Sequence, residues 1–339
     1  MANKAVKQNR YNRNSTKRRL TIRPIKHPLR LCAIVLGILA VAVAAVVWGN
    51  VLYQKSENYR ADLAAGRWTV ETVTDADILP TVKDVPPAKG WPLSPDGSLH
   101  TFESDGYTDA TLWLCQKDRT LPYHSDVATA AGMACADRSL ADEISRIHES
   151  GLRAVGIFAV HTLTDTAAED ALTRYHIQTE LSILTEYASV GLDEILLIGL
   201  PSDSEAASAI LDYVTALRDC LSDAPTLVGV NLSLDTMTEA LSGSTLPAEL
   251  LTVCDYLTLD MTKPHTYELY AGAANDSQSD GTDEPAHTSY LSRLLYRYRY
   301  LYVRYNLRLL FTDEQIDHLG ESAEHGFDRF LVIQTYDTP

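Results

Sequence analysis

Carboxylates that follow apolar runs are the residues of this chain best placed to do chemistry. Tyr256-Leu-Thr-Leu runs into Asp260, and Thr111-Leu-Trp-Leu-Cys-Gln is followed within two residues by Asp118. Cleaving a glycosidic bond takes a carboxyl group on each side of it, one as acid and one as base or nucleophile. Asp260 is the leading candidate for such a pair, and Asp118 is the candidate second member. His161, Asn231, Gln334 and Tyr336 also stand just past apolar runs and are candidate ligand-binding residues. Gln116, Lys117, Lys263 and Thr312 share that position. Asp235 and Asp313 do too, but each reads first as the N-cap of the helix that follows. His161 reads first as an ordinary polar residue at a strand end, and only second as an acid–base group.

Other chemistries lack their residues. There is no G-x-S-x-G elbow and no H-E-x-x-H, and the ten histidines show no metal-ligand spacing. No glycine-rich phosphate loop follows an apolar run, which argues against a nucleotide. No metal and no cofactor is expected.

The elements that must position these residues alternate. Short apolar runs at 154–160, 195–200, 226–232, 256–260, 308–311 and 330–334 suit strands buried on both faces. Helical patterns at 139–150, 168–189, 203–221, 246–252, 288–305 and 313–324 separate them. Three helices end in the same way, at Gly151-Leu-Arg, Gly191-Leu-Asp and Gly326-Phe-Asp, and each leads straight into a strand. Glycine there can take the left-handed C′ conformation that closes a helix. With the strand at 111–116 this makes seven strands over about 225 residues. The expectation is an α/β fold, a (β/α)8-type barrel with parallel strands. The eighth strand is not evident: Leu99-His-Thr-Phe supplies it, or the barrel is incomplete.

In the helix at 288–305, Leu291, Leu294, Leu295, Tyr298, Leu301, Tyr302 and Tyr305 share one face, which should pack on the barrel. Arg297, Arg304 and Arg308 should then face solvent. The polar stretch 271–287 reads as a flexible loop before it reads as a lid.

Charge divides the chain. Residues 1–30 hold ten Lys/Arg and no acid, and the remaining 19 basic and 45 acidic residues give a net charge of −26. An acidic body excludes a general nucleic-acid binder. No charge occurs from Leu31 to Gln54, a run long enough to cross a bilayer, with Trp48 and Tyr53 near its far end. The run reads as an uncleaved anchor in preference to a signal peptide, whose apolar core is shorter. The expected organisation is a basic cytoplasmic tail (1–30), a transmembrane helix (31–54) with the lipid bilayer as its partner, a proline-rich stalk (55–107) and an extracytoplasmic barrel (108–339). The expectation is a single-pass plasma-membrane protein with its N-terminus in the cytoplasm. Cys115, Cys135, Cys220 and Cys254 permit three pairings, of which 115–135 with 220–254 is the natural one if bonds form; buried free thiols are the alternative.

Three stretches resemble a bacterial glycoside hydrolase family with a TIM barrel. They are Gly191-Leu-Asp-Glu-Ile-Leu-Leu-Ile-Gly-Leu-Pro, Cys254-Asp-Tyr-Leu-Thr-Leu-Asp-Met and Gly326-Phe-Asp-Arg-Phe-Leu-Val-Ile-Gln, within roughly residues 150–335. The resemblance implies a barrel whose strand tips carry the catalytic acids. The chain departs from the family at those tips. Ile198 stands where the family has an acid, Gly156-Ile-Phe-Ala-Val-His lacks its lysine–aspartate tip, and 161–191 is short for a further strand–helix unit. Isoleucine transfers no proton. The expectation is a glycosidase-like barrel that has lost hydrolysis and binds glycan, peptidoglycan or another envelope component. An active hydrolase using other acids, or a protein-interaction scaffold, are the alternatives. A deep acidic cleft at the strand tips would favour the enzyme, an aromatic-lined groove without paired carboxylates would favour glycan binding, and a filled mouth with an exposed apolar patch elsewhere would favour protein contact.

Overall fold

The computed structural model describes residues 36–54 apart from 39, 42 and 52, then 68–73, 78–93 apart from 80, 106–163, 171–201, 206–262 and 290–335. Met1–Arg60 and Ala61–Pro339 form two units. In the first, residues 36–54 are helical wherever described, and Leu36, Val43, Val47 and Trp48 are exposed. Among the described residues no helix is both long and apolar enough to cross a membrane. The basic tail and the start of the expected span lie outside the described residues.

The second unit is a closed eight-stranded barrel, parallel throughout, with its strands in chain order. The strands are β1 (Lys89–Pro92), β2 (Asp109–Cys115), β3 (Arg153–Ala159), β4 (Glu194–Ile198), β5 (Leu227–Leu232), β6 (Tyr256–Asp260), β7 (Arg308–Thr312) and β8 (Phe330–Ile333). The helices are α1 (Asp126–Ala130), α2 (Leu140–Glu149), α3 (Ala171–Ser189), α4 (Ala207–Cys220), α5 (Leu234–Leu241), α6 (Leu246–Val253), α7 (Tyr290–Arg304) and α8 (Ile316–Glu324).

The barrel is therefore complete, and its missing strand is β1, inside the segment read as a stalk. Lys89-Gly-Trp-Pro has no apolar alternation, and Pro92 has no N–H to give to a ladder. Its neighbours make it a strand. Phe330 N–H donates to Ala88 O at 2.9 Å, and Leu93 N–H donates to Thr111 O at 2.9 Å. Leu99–Phe102 lie outside the described residues.

The glycine junctions behave as expected. Gly151, Gly191 and Gly326 have φ of +74°, +103° and +82°. After the first and third, the N–H of Leu152 and of Phe327 reaches back to Ile147 O (3.2 Å) and Ser322 O (2.9 Å). Asn306, with φ +50°, builds a fourth copy, and Leu307 N–H donates to Tyr302 O at 3.0 Å. The apolar residue of every copy (Leu152, Leu192, Leu307, Phe327) is buried. Ser139 caps α2 by accepting from Asp142 N–H. Asp235 does not cap α5; Ser233 does, by accepting from Thr236 N–H. Asp313 caps no helix either, because its Oδ1 accepts from the Thr335 amide (2.8 Å) and hydroxyl (2.7 Å), tying the ends of β7 and β8 together.

Strand alternation sorts the core into two clusters. One lies between the strands and the helices. The other fills the barrel and includes Ala88, Trp113, Val155, Ile157, Leu196, Ile198, Leu310, Leu331 and Ile333. The inner face of α7 packs as the sequence implies, with Leu291, Leu295, Tyr298, Leu301, Tyr302 and Tyr305 all buried. Arg308 is a correction: it is 1% exposed and belongs to the barrel interior.

At the N-terminal end the interior is ionic. Arg153 pairs with Asp109 (2.6 Å) and Glu194 (2.9 Å), and Arg308 takes both oxygens of Glu194 (2.5 and 3.3 Å). The Arg308 guanidinium lies 3.9 Å from the Tyr256 ring centroid. That ring occupies the space of an absent side chain: a Cβ on Gly229 would stand 2.2 Å from Tyr256 Cζ. Both guanidiniums also hold the segment before β1, Arg308 through Pro86 O (2.9 Å) and Arg153 through Pro87 O (3.2 Å). Burial raises the Asp109 carboxyl above its ordinary value, against the lowering by Thr108 and Arg153.

Replacing Arg308 with methionine should cost about 3 kcal/mol or more, because Glu194 keeps only Arg153 and the Pro86 carbonyl loses its donor. Adding Glu194→Gln should return part of that loss. Urea unfolding midpoints measure both, and an Arg308→Met variant as stable as the parent would remove the network from the stability of the fold.

Candidate functional site

In a parallel barrel the strand C-termini form the mouth where ligands are handled. The interior residues reaching that end are Trp113, Ala159, Ile198, Asn231, Asp260, Thr312 and Ile333, set there by alternation along each strand. Trp113, Ile198 and Ile333 are large and apolar. Trp113 is fixed by its indole N–H, which donates to Gln334 O at 3.2 Å.

Asp260 is 9% exposed. Its Oδ1 accepts from the Thr262 amide (2.9 Å) and hydroxyl (2.6 Å). Asn231, 7% exposed, accepts from the Thr258 hydroxyl at 2.7 Å through Oδ1. Asn231, Thr258 and Asp260 thus form one polar strip across β5 and β6. Gln315 braces the neighbouring strand end: its Nε2 donates to Met261 O (3.0 Å) and its Oε1 accepts from Thr312 N–H (2.9 Å).

Asp118 is not part of this strip. The pairing of β2 with β3 slips between Trp113 and Cys115, so Cys115 pairs with Phe158 and joins the outer cluster. A bulge re-aims the side chains that follow it. Asp118 is exposed, and its Oδ1 accepts from Thr120 N–H at 2.9 Å. Its hydrogen bonds with Thr120 hold the carboxyl below its ordinary value. Among the described residues no hydrogen bond or ion pair joins Asp118 to Asp260.

His161 lies behind the mouth. Its Nε2 stands 2.9 Å from Gln116 O, a contact that requires the proton on Nε2. The backbone N–H of His161 (3.2 Å), the Thr162 hydroxyl (2.7 Å) and the Tyr213 hydroxyl (3.3 Å) all donate to Glu180, a buried carboxylate on α3. Burial raises the Glu180 carboxyl above its ordinary value, outweighing the lowering by those donors. Gln334 is half-buried, and Tyr336 and Lys263 lie outside the described residues, as does the stretch 271–287. Cys115, Cys135, Cys220 and Cys254 are all free thiols. Burial pushes Cys115 and Cys254 up to about 12, which leaves them inert as nucleophiles.

A recess of about 40 Å³ opens beside Trp113, between the ends of β1, β2 and β8, with Tyr123, Arg138 and Gln334 on its wall. That is room for a few waters or one small polar group. Among the described residues no group of acids, histidines and cysteines could hold a metal ion.

Trp113, Arg138 and Glu180 were not singled out from sequence. A signal existed for Glu180, which shares a helical face with Ile183, Leu184 and Tyr187, so an acid stands in an apolar stripe. None existed for Arg138, whose place depends on how the loop after β2 folds back.

No family model matches the chain, and no curated protein matches it. Solved structures do, weakly. A sugar phosphate isomerase/epimerase from Parabacteroides distasonis is 12% identical, over 76% of this chain and 92% of its own, with a TM-score of 0.37. A GH113 β-1,4-mannanase is 11% identical, over 69% and 81%, at 0.42. A D-allulose 3-epimerase from Methylomonas sp. is 12% identical, over 76% and 87%, at 0.42. These proteins are TIM barrels, and this chain is one by its own strand pairing.

The raised Glu180 carboxyl makes the native state bind more protons than the unfolded chain between the ordinary glutamate value and the raised one, so this group takes stability away as pH rises through that window. Glu180→Gln removes that term. The stability of the variant relative to the parent should improve as pH rises from the ordinary glutamate value of about 4.3 through the raised one. Thermal or urea unfolding of both proteins at each pH checks this, and a difference independent of pH would place the Glu180 titration outside the folding equilibrium.

Proposed function

We propose that the barrel binds a glycan at its C-terminal mouth without hydrolysing it, and that residues 31–54 anchor it in a membrane with the barrel on the extracytoplasmic side. One observation carries the first part. Among the described residues Asp260 is the sole carboxylate on the interior strand ends, while Ile198 and Ala159 occupy the tips of β4 and β3. Hydrolysis needs a pair of carboxyl groups. Trp113 and Tyr123 on the recess, with Gln334 beside them, supply the aromatic faces and hydrogen-bonding groups that sugars use. Exposed large apolar side chains elsewhere on the barrel unit, such as Tyr175, Leu241 and Tyr300, are scattered along it, which gives less support to a protein scaffold.

Support for the anchor is the uncharged run from Leu31 to Gln54 and the exposure of its described side chains all round the helix. Ten cationic residues before it favour a cytoplasmic N-terminus.

A second reading keeps hydrolysis, with Asp260 as one carboxylate, because its burial at a strand tip is where a catalytic acid belongs. The full-length chain in detergent, incubated with peptidoglycan and a panel of soluble glycans, decides between the two. Binding without new reducing ends, in the parent and in Asp260→Asn alike, is the expected result. Reducing ends that appear with the parent and vanish with Asp260→Asn would make the protein a hydrolase.

The anchor has its own test. After fractionation of cells expressing the chain, the protein should sediment with membranes, resist carbonate extraction and dissolve in detergent. Release by carbonate would overturn the anchor and leave the barrel reading untouched.

A further inference from the structure

The recess beside Trp113 has one charged group on its wall. Arg138 projects from the loop after β2, with its guanidinium 5.3 Å from the Tyr123 ring centroid. It donates to the buried carboxylate of Glu143, which also accepts from Arg146. Two guanidiniums thus share one carboxylate, and Glu143 keeps a cationic partner whether or not Arg138 is present. Asp137 and Asp142, the neighbouring acids in sequence, are exposed to water. The rest of the wall is apolar or neutral: Pro92, Leu93, Trp113, Tyr123 and Gln334 among them.

Size limits what can enter. About 40 Å³ takes a small planar group but not a sugar ring, so a ring would rest outside and send one substituent in. An arginine fork beside two aromatic faces suits a carboxylate, which it can hold with paired charge-assisted hydrogen bonds. We propose that the recess is an anion subsite that selects carboxylate-bearing sugars, with Arg138 as the residue that reads the carboxylate. This rests on the glycan-binding reading and sharpens it: the ligand is acidic, whereas the body of the protein carries a large negative charge. Long-range attraction therefore does not bring the acid in, and the contact at Arg138 must.

The test uses the full-length chain in detergent with 5-fluorotryptophan at its four tryptophans. The Trp113 fluorine resonance is assigned with Trp113→Phe. Glucuronate and N-acetylmuramate are titrated against glucose and N-acetylglucosamine as neutral counterparts, with acetate as the bare anion. The acidic sugars should move the Trp113 resonance saturably, at about tenfold lower concentration than the neutral ones. Arg138→Gln should abolish that preference, and Arg146→Gln, which also loses a bond to Glu143, should keep it. Equal responses to acidic and neutral sugars, or a preference that survives Arg138→Gln, would overturn the subsite while glycan binding stands. Acetate as effective as the acidic sugars would keep Arg138 as an anion site but overturn its selection of sugars. A response to none of these probes would overturn the subsite, and the separate glycan panel would report on the parent reading.

Discussion

Two arginines and two carboxylates inside the N-terminal end of the barrel hold the architecture closed. Glu194 and Asp109 are fully buried, and a carboxylate in that setting is tolerable only with a cation against it. Arg153 and Arg308 meet that need, and their remaining N–H groups reach the carbonyls of Pro86 and Pro87. The same guanidiniums that neutralise the interior thereby hold the chain just before β1. A four-residue strand containing a glycine and a proline has little burial or ladder energy of its own. Its place between β8 and β2 follows from what the arginines do on one side of it and the ladder bonds on the other.

This arrangement leaves the opposite end to function. Charge concentrates at the strand N-termini, and the strand C-termini are left with Trp113, Ala159, Ile198 and Ile333 around the strip of Asn231, Thr258 and Asp260. In an apolar setting a single carboxylate held by Thr262 can orient a hydroxyl, and among the described residues no second carboxylate stands on the interior strand ends. The bulge in β2 is the local cause, since it turns the chain after Trp113 outward and takes Asp118 with it. The loop after β2 then folds back over the barrel end and brings Tyr123 and Arg138 to the recess.

The strand-to-helix alternation, the buried face of α7 and the glycine junctions were legible because each depends on residues within one or two turns of one another. The helix C-terminus at Gly151 needs a left-handed residue and an apolar one after it, and both are adjacent in the chain. Asn306 escaped notice because asparagine adopts that conformation less often than glycine. The ends of the apolar runs were legible too, which is why the sequence puts Asn231 and Asp260 at strand ends, where the structure has them. The direction of Asp118 was not legible, because it stands in a turn past a register shift in β2, and no residue type announces that shift.

By itself, then, the sequence determined the repeating unit: apolar runs long enough to be strands, helices with one apolar face, and junctions that turn one into the other. Those follow from backbone stereochemistry and from side-chain periodicity, which act over a few residues. Tertiary structure alone decided that Lys89-Gly-Trp-Pro is a strand, that Arg308 is interior and not solvated, and that Arg138 stands beside Trp113. In each case the deciding partner is far away in the chain: Leu331 against Gly90, Glu194 against Arg308, Ile333 and Gln334 across the recess from Arg138. A charged side chain is driven outward by its solvation and inward by a buried counter-charge, and only the closed barrel puts that counter-charge in place.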